Sequence, residues 1–238
     1  MLKEFAQYLV SLKDNQTYEI HGDTYSDHEL HRIAPHVDRP RELEVNGLDS
    51  IVKLVKNELD MLENLPLFIR VVGPRDVDVF STYDGTLARD ALYRATCDAP
   101  KFNPGWRDHE NAIIELRSAF IPNEGTEYLL DLLSRVSKEQ GVTSADNGVS
   151  QEVTARQGIA LSQRVSVKPR VALRPFRTFS EVEQPESEFL LRLDEEGRVG
   201  LFEADGGMWK MEAKANIAAY FEQELAELVG AGRVVVMM

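Results

Sequence analysis

Leu2, Phe5, Ala6, Leu9 and Leu12 recur at helical spacing while Lys3, Glu4 and Lys13 fall off that stripe, which predicts a short amphipathic helix packed on a sheet. Thr17–Ile20 and Thr24–Tyr25 flank the turn dipeptide Gly22-Asp23, and Arg41–Val45 alternates into another short strand. Asn46 is placed to cap a second helix, in which Leu48, Ile51, Val52, Val55, Leu59 and Leu62 trace one face until Asn64-Leu65-Pro66 ends it. The apolar run Leu67–Val72 and the alternating Asp76–Phe80, joined by Gly73-Pro74-Arg75, predict a hairpin whose first strand is the more buried.

Beyond Thr82-Tyr83-Asp84-Gly85 the pattern predicts strands at Ala91–Thr96 and Ala112–Phe120, separated by a surface loop over Ala99–Gly105. Asn123–Glu139 carries Leu129, Leu132, Leu133 and Val136 on one face and stops before Gly141, which predicts a third helix. Further strands are expected near Ser150–Arg156, Leu161–Val167 and Val171–Leu173, and a hairpin from Phe189–Leu193 and Arg198–Phe202 around Asp194-Glu195-Glu196-Gly197. A last helix spans about Met208–Val229, with Trp209, Ala213, Ile217, Tyr220, Phe221, Leu225 and Leu228 inward and Gly230 at its end. The β-branched tail Val234-Val235-Val236 must pair, with the chain's own sheet or with another subunit, or remain an aggregation-prone edge. Runs of strands broken by single helices, without βαβ alternation, define an α+β fold: mainly antiparallel sheets with about four helices packed on them. One domain over 1–238 is expected, the alternative being a division into 1–85 and 86–238.

Charge changes this picture. The 40 acidic residues against 27 basic give a net charge of −13, so the molecule as a whole repels nucleic acid and anionic membrane. The charge is also uneven: Val153–Ser180 contains Arg156, Arg164, Lys168, Arg170, Arg174 and Arg177 with no acid, and Glu181–Glu212 has ten acids against three basic residues. Such a pair of segments can neutralise itself across a sheet, dock one subunit on the next, or line a pocket for a phosphorylated ligand with the forks of Arg170, Arg174 and Arg177. Cys97 is the single cysteine, which excludes a disulfide framework and any CxxC site. No run reaches the roughly 18 apolar residues of a membrane span, so a soluble cytoplasmic protein with no membrane partner is expected.

Motifs for familiar chemistry are missing. No Gly-x-Ser-x-Gly, Gly-x-x-x-x-Gly-Lys or His-Glu-x-x-His occurs, which argues against the common hydrolase and nucleoside-triphosphatase mechanisms. His21, His28, His31 and His36 crowd among Asp23, Asp27 and Glu29, but their spacing fits no compact zinc motif and reads more simply as a polar hairpin. In Asp108-His109-Glu110 a strand would turn His109 away from its neighbours, so a triad is not expected. Asp205-Gly206-Gly207 before the last helix could offer amides to an anion, although Glu203 and Asp205 would repel a phosphate and an Asp cap explains the same residues. No catalytic residue, metal or cofactor is therefore assigned, and the ligand or interface candidates are Arg170, Arg174, Arg177, Gly206 and Gly207.

Three stretches resemble a known group. Gly148-Val149-Ser150-Gln151-Glu152-Val153-Thr154-Ala155, Pro175-Phe176-Arg177-Thr178-Phe179-Ser180-Glu181-Val182-Glu183-Gln184-Pro185-Glu186-Ser187-Glu188-Phe189 and Leu201-Phe202-Glu203-Ala204-Asp205-Gly206-Gly207-Met208-Trp209 are similar to uncharacterised phage and prophage proteins of Gram-positive hosts, and more distantly to the YfdQ-type prophage family. The resemblance implies a phage origin without a mechanism, and its members do not share the N-terminal histidines, which argues against a metal. The expectation is a non-enzymatic, cytoplasmic phage accessory protein that assembles as a homo-oligomer through its charged segments and its tail strand. The rivals are an anti-defence protein that sequesters a nucleotide signal, and a nucleic-acid accessory factor that would need the same arginines exposed beside Phe176 and Phe179.

Overall fold

The structure is a computed structural model that describes residues 2–11, 16–27, 32–33, 39–57, 65–100, 102–135, 142–146, 151–157, 161–194 and 196–238. The chain separates into two compact units, 1–39 and 40–238. In the first unit α1 (Leu2–Ser11) precedes β1 (Thr17–Ile20), β2 (Asp23–Ser26) and β3 (Arg32–Ile33), which form a three-stranded antiparallel sheet. The hairpin loop is His21-Gly22, with φ of 53° and 85°, one residue earlier than the sequence suggests. Both residues take the positive φ that a two-residue hairpin turn requires, which gives His21 a conformational task. The predicted α1 forms, but Leu2, Phe5 and Leu9 are exposed instead of packed on a sheet.

The second unit runs β4 (Leu43–Val45), α2 (Leu48–Lys56), β5 (Leu67–Gly73), β6 (Asp76–Ser81), β7 (Ala91–Thr96), β8 (Gly105–Arg107), α3 (His109–Ser118), β9 (Phe120–Ile121) and α4 (Glu124–Arg135). It continues with β10 (Val142–Asp146), β11 (Gln151–Gln157), β12 (Leu161–Val167), β13 (Arg170–Pro175), β14 (Ser187–Leu193), β15 (Val199–Glu203), α5 (Trp209–Glu224), α6 (Ala226–Gly230) and β16 (Val234–Met237). Among the described residues the α+β class is thus realised with sixteen strands and six helices rather than about four. The two extra helices have separate causes. Asp108 caps α3 by accepting from Asn111 N at 2.9 Å, and Ala112 and Leu116, four residues apart, are its buried positions, so the stretch read as a strand is a helix. The last helix breaks at Leu225, whose φ of −108° and ψ of 24° divide α5 from α6.

One five-stranded sheet has the order β16-β5-β6-β7-β4, antiparallel except for the parallel pairs β16–β5 and β4–β7. The tail therefore pairs with the chain's own sheet, Val234 opposite Leu67 and Val236 opposite Ile69. Because β6 and β7 are neighbours in this sheet, no domain boundary falls near residue 85. Its inner face, with Ile69, Val71, Val77, Val79 and Tyr93, packs with Ile51 and Val52 of α2 and Ile217 and Phe221 of α5. Asn46 does not cap α2; the remote Glu181 carboxylate does so by accepting from Leu48 N at 2.8 Å.

The other five-stranded sheet, β8-β15-β14-β13-β9, is antiparallel and builds a second core from Phe189, Leu191, Leu201 and Leu173 against Leu116 of α3 and Leu129 and Leu133 of α4. The loop predicted over Ala99–Gly105 is not wholly a surface feature: Phe102 is buried in this core, edge-on to Phe120 and Phe189, and β8 follows directly. Asn123 and Thr126 bond reciprocally at the start of α4, Oδ1 accepting from Thr126 N at 2.9 Å and Thr126 Oγ1 from Asn123 N at 2.8 Å. β10, β11 and β12 make a separate antiparallel sheet. The predicted ends of α2 near Asn64 and of α4 near Gly141 lie outside the described residues, as do His28, His31 and His36.

Candidate functional site

Strand alternation puts Arg170 and Arg174 on the same exposed side of β13, as their spacing requires, and acids stand ready there. Arg170 Nη1 donates to Glu188 at 2.8 Å, while Arg174 donates from Nη1 to Glu183 at 3.0 Å and from Nε to Glu186 at 3.3 Å. These contacts join the basic segment to the acidic one within the chain. Arg177 does not join them. After Pro175 ends the strand, Arg177 turns inward and is only 3% exposed.

The loop that carries Arg177 is organised by one side chain. Gln184, itself buried, accepts from the backbone N–H groups of Arg177 and Thr178 at 3.0 and 3.1 Å and donates to Phe179 O at 2.8 Å. This places Phe179 in the core beside α2 and α5, sends Glu181 to the end of α2, and lets Thr178 Oγ1 donate to Pro74 O at 2.5 Å. Phe179 is therefore unavailable for stacking on a base, and Phe176 is 37% exposed.

Arg177 donates from Nη1 to Glu203 at 3.1 Å and from Nη2 to Ser187 Oγ, and its guanidinium lies 3.9 Å from the centroid of the Trp209 indole. Burial pulls the Arg177 pKa down to about 10, against the opposing pull of Glu203, Asp205 and Glu212. Ser187 Oγ passes the network on, donating to Asp205 Oδ2 at 2.8 Å. Asp205 also accepts from Gly207 N at 3.0 Å and Trp209 N at 3.2 Å, and so fixes the start of α5. Burial alone would raise the Asp205 carboxyl, but the Gly207, Ser187 and Trp209 donors and the Arg177 charge outweigh it and hold it below the usual carboxylate range. Gly206 and Gly207 take left-handed φ of 64° and 82°, and Asp205 itself occupies the Gly207 amide that an anion would use.

Arg177, Glu203, Trp209 and Lys210 meet Pro74, Arg75, Asp76 and Phe102 around a cavity of about 250 Å3. It lies where the β5–β6 turn approaches the start of α5 and the loop after β13. Arg75 is held from outside the cavity, its Nη2 donating to Cys97 O and Ala99 O at 2.6 Å each, and Asp76 is held by Arg94 Nη2 at 3.2 Å. Three nitrogens of lining residues, Arg75 Nη1, Arg177 Nε and Trp209 Nε1, are fully buried and have no hydrogen-bond partner among the described residues. Of the residues singled out from sequence only Arg177 reaches this cavity. Arg75, Phe102 and Trp209 come from distant segments, and the signal that pointed nearest to them was a charged residue set inside Phe176-Arg177-Thr178-Phe179.

Among the described residues no group of His, Cys, Asp and Glu is arranged to hold a metal ion, and no helix is long and apolar enough to cross a membrane. Neither family models, curated proteins nor solved structures give a match to the chain.

Proposed function

We propose that this chain is a non-enzymatic phage accessory protein that works by holding a small anionic molecule in the cavity beside Trp209. The observation that supports this reading is a cavity whose lining brings Arg75, Arg177 and Lys210 together with Phe102 and Trp209. These cations outnumber the carboxylates Asp76 and Glu203 in the lining, and the occupant is accordingly an anion. Binding without turnover suits a lining that lacks serine, cysteine and histidine and whose two acids already hold arginines. A nucleotide signal is a poorer occupant, because Arg170 and Arg174 face away from Arg177 into their own ion pairs.

The test is thermal unfolding of the full chain in a series of small anions, with native mass measurement of protein recovered from infected cells. A ligand at a hundred times its Kd adds about 2.7 kcal/mol, and each kcal/mol raises Tm by about 2–4 °C in a chain of this size. Saturable shifts of that order are expected. No shift with any anion, and no retained mass, would refute the reading.

Self-assembly is the second reading, favoured by β16, which ends its sheet with its outer edge unpaired among the described residues and Val235 exposed. Light scattering decides it: a particle heavier than 26.9 kDa at low salt is expected, and a monomer refutes it.

A further inference from the structure

We infer that the cavity beside Trp209 is also a socket for a second copy of this chain, which inserts the loop between β6 and β7 with Leu87 as its knob. The inference rests on the cavity of the reading just given, and a small anion bound there competes with the loop.

The knob is built to protrude. Asp84 Oδ1 accepts from Thr86 N and Thr86 Oγ1 at 2.7 Å each and from Ala88 N at 3.0 Å, while Asp84 N donates to Ala88 O at 2.9 Å and Leu87 N to Asp84 O at 3.1 Å. Behind the tip, Arg89 Nη1 donates to Ser81 O at 2.9 Å, and its guanidinium lies 3.9 Å from the centroid of the Tyr83 ring and 4.6 Å from that of Phe68. The loop so held puts Leu87 at a φ of 59° and leaves it 79% exposed. Glycine or asparagine adopts that backbone more easily and presents no branched hydrocarbon to water, so leucine is disfavoured there on two counts in a free chain. Burying the side chain in another molecule offsets both.

The chain's own cavity is out of reach. It lies at the Pro74–Asp76 end of β6, and the loop follows Ser81 at the other end, so the strand holds the two roughly 20 Å apart. Leu87 of one copy therefore meets only the cavity of another.

Size and charge match. Pro74, Phe102 and Trp209 give the socket carbon-rich walls, and its volume of about 250 Å3 holds a leucine side chain while falling below the ~300–1,000 Å3 usual for drug-sized ligands. Residues 82–90 carry Asp84 and Asp90 against Arg89, a net negative charge, with the cation drawn back over the rings. The lining carries a net positive charge, three cations against Asp76 and Glu203, so the rims attract. Because knob and socket are different surfaces at opposite ends of one sheet, the contact is heterologous, and copies add head to tail. An edge-to-edge pair through β16 differs in that identical strands meet.

Sedimentation velocity of the full chain at low salt, over a range of concentrations, tests this. The parent is expected to rise in mass above 26.9 kDa as concentration increases. Leu87→Gly should leave Tm no lower, since glycine suits the positive φ, and yet weaken association by about tenfold or more. Lys210→Glu leaves the loop untouched and should also weaken association, by reversing a charge of the socket. Mixed one to one, the two variants should form a discrete pair that neither forms alone, the socket of the first taking the knob of the second. A parent that stays monomeric, a Leu87→Gly variant that associates as the parent does, or a mixture without the pair overturns the inference. A monomer whose Tm still rises with small anions overturns it alone and leaves the anion reading standing. Association that survives Leu87→Gly and is abolished by Val235→Lys overturns it in favour of the β16 edge.

Discussion

Arg170 and Arg177 sit seven residues apart in the same basic stretch, yet replacing them should have very different consequences. The Arg170–Glu188 pair is open to water, with side chains 57% and 55% exposed. Such pairs contribute about 0–1 kcal/mol. Arg177 has a side chain 4% exposed against 28% for Glu203. Removing one partner of a buried pair costs about 3–5 kcal/mol, because the other charge stays behind unpaired. Glu203 keeps some access to water, which trims that figure, while the loss of the guanidinium from the Trp209 face adds about 0.5–2 kcal/mol. Arg177→Met retains an apolar stem for packing and removes the charge, and it should destabilise the chain by roughly 2–4 kcal/mol, against under about 1 for Arg170→Met. Urea unfolding at neutral pH followed by two probes measures both. The double variant Arg177→Met with Glu203→Gln should recover part of the loss, since it no longer leaves a bare carboxylate. Equal costs at positions 170 and 177, or no recovery in the double variant, would show that the buried pair is not what holds this loop.

Two further outcomes can be measured on the same footing. Gly125 lies in the first turn of α4, where an added Cβ would stand 2.0 Å from the Ala172 carbonyl oxygen; Gly125→Ala should lose about 1–3 kcal/mol to overpacking against a helix-propensity gain of about 1, and a variant at least as stable as the parent in urea would mean that α4 does not approach β13 so closely. The Asp205 carboxyl is held below its ordinary value, so its contribution is present above that value and fades as pH falls through the folded one; Asp205→Asn should flatten the acid limb of Tm against pH, and an unchanged limb would refute the assignment.

Periodicity made the two cores legible. The apolar spacing over residues 48–55 and 129–133 marks the buried faces of α2 and α4, and the alternation of Asp76–Phe80 gives β6. Alternation also misled. Ala112–Phe120 carries Ile113 and Ile114 and reads as a strand, but the deciding information was an aspartate at the N-cap and two buried residues four apart. Capping from a distance was not legible at all: Glu181 reaches α2 across 133 positions, and no local pattern announces a carboxylate that arrives from another loop. The candidate site was hidden for the same reason. Arg177 was visible as part of a charge run, whereas Arg75 and Phe102 join it only because the β5–β6 turn and the loop before β8 are brought to the same end of the unit.

Two of the stretches singled out by resemblance, Pro175–Phe189 and Leu201–Trp209, take on a physical meaning at this place. Arg177 and Ser187 come from the first, Glu203, Asp205 and Trp209 from the second, and they bond to one another in an unbroken chain of contacts. Three residues of the cavity lining are held by bonds within the chain: Arg177 by Glu203 and Ser187, Trp209 through its backbone N–H by Asp205, and Arg75 by the carbonyls of Cys97 and Ala99. A site whose side chains are already fixed loses little conformational entropy when it fills. An occupant that binds this folded arrangement and not the unfolded chain stabilises this end of the fold as well as binding to it, which is why melting temperature is the readout for the cavity.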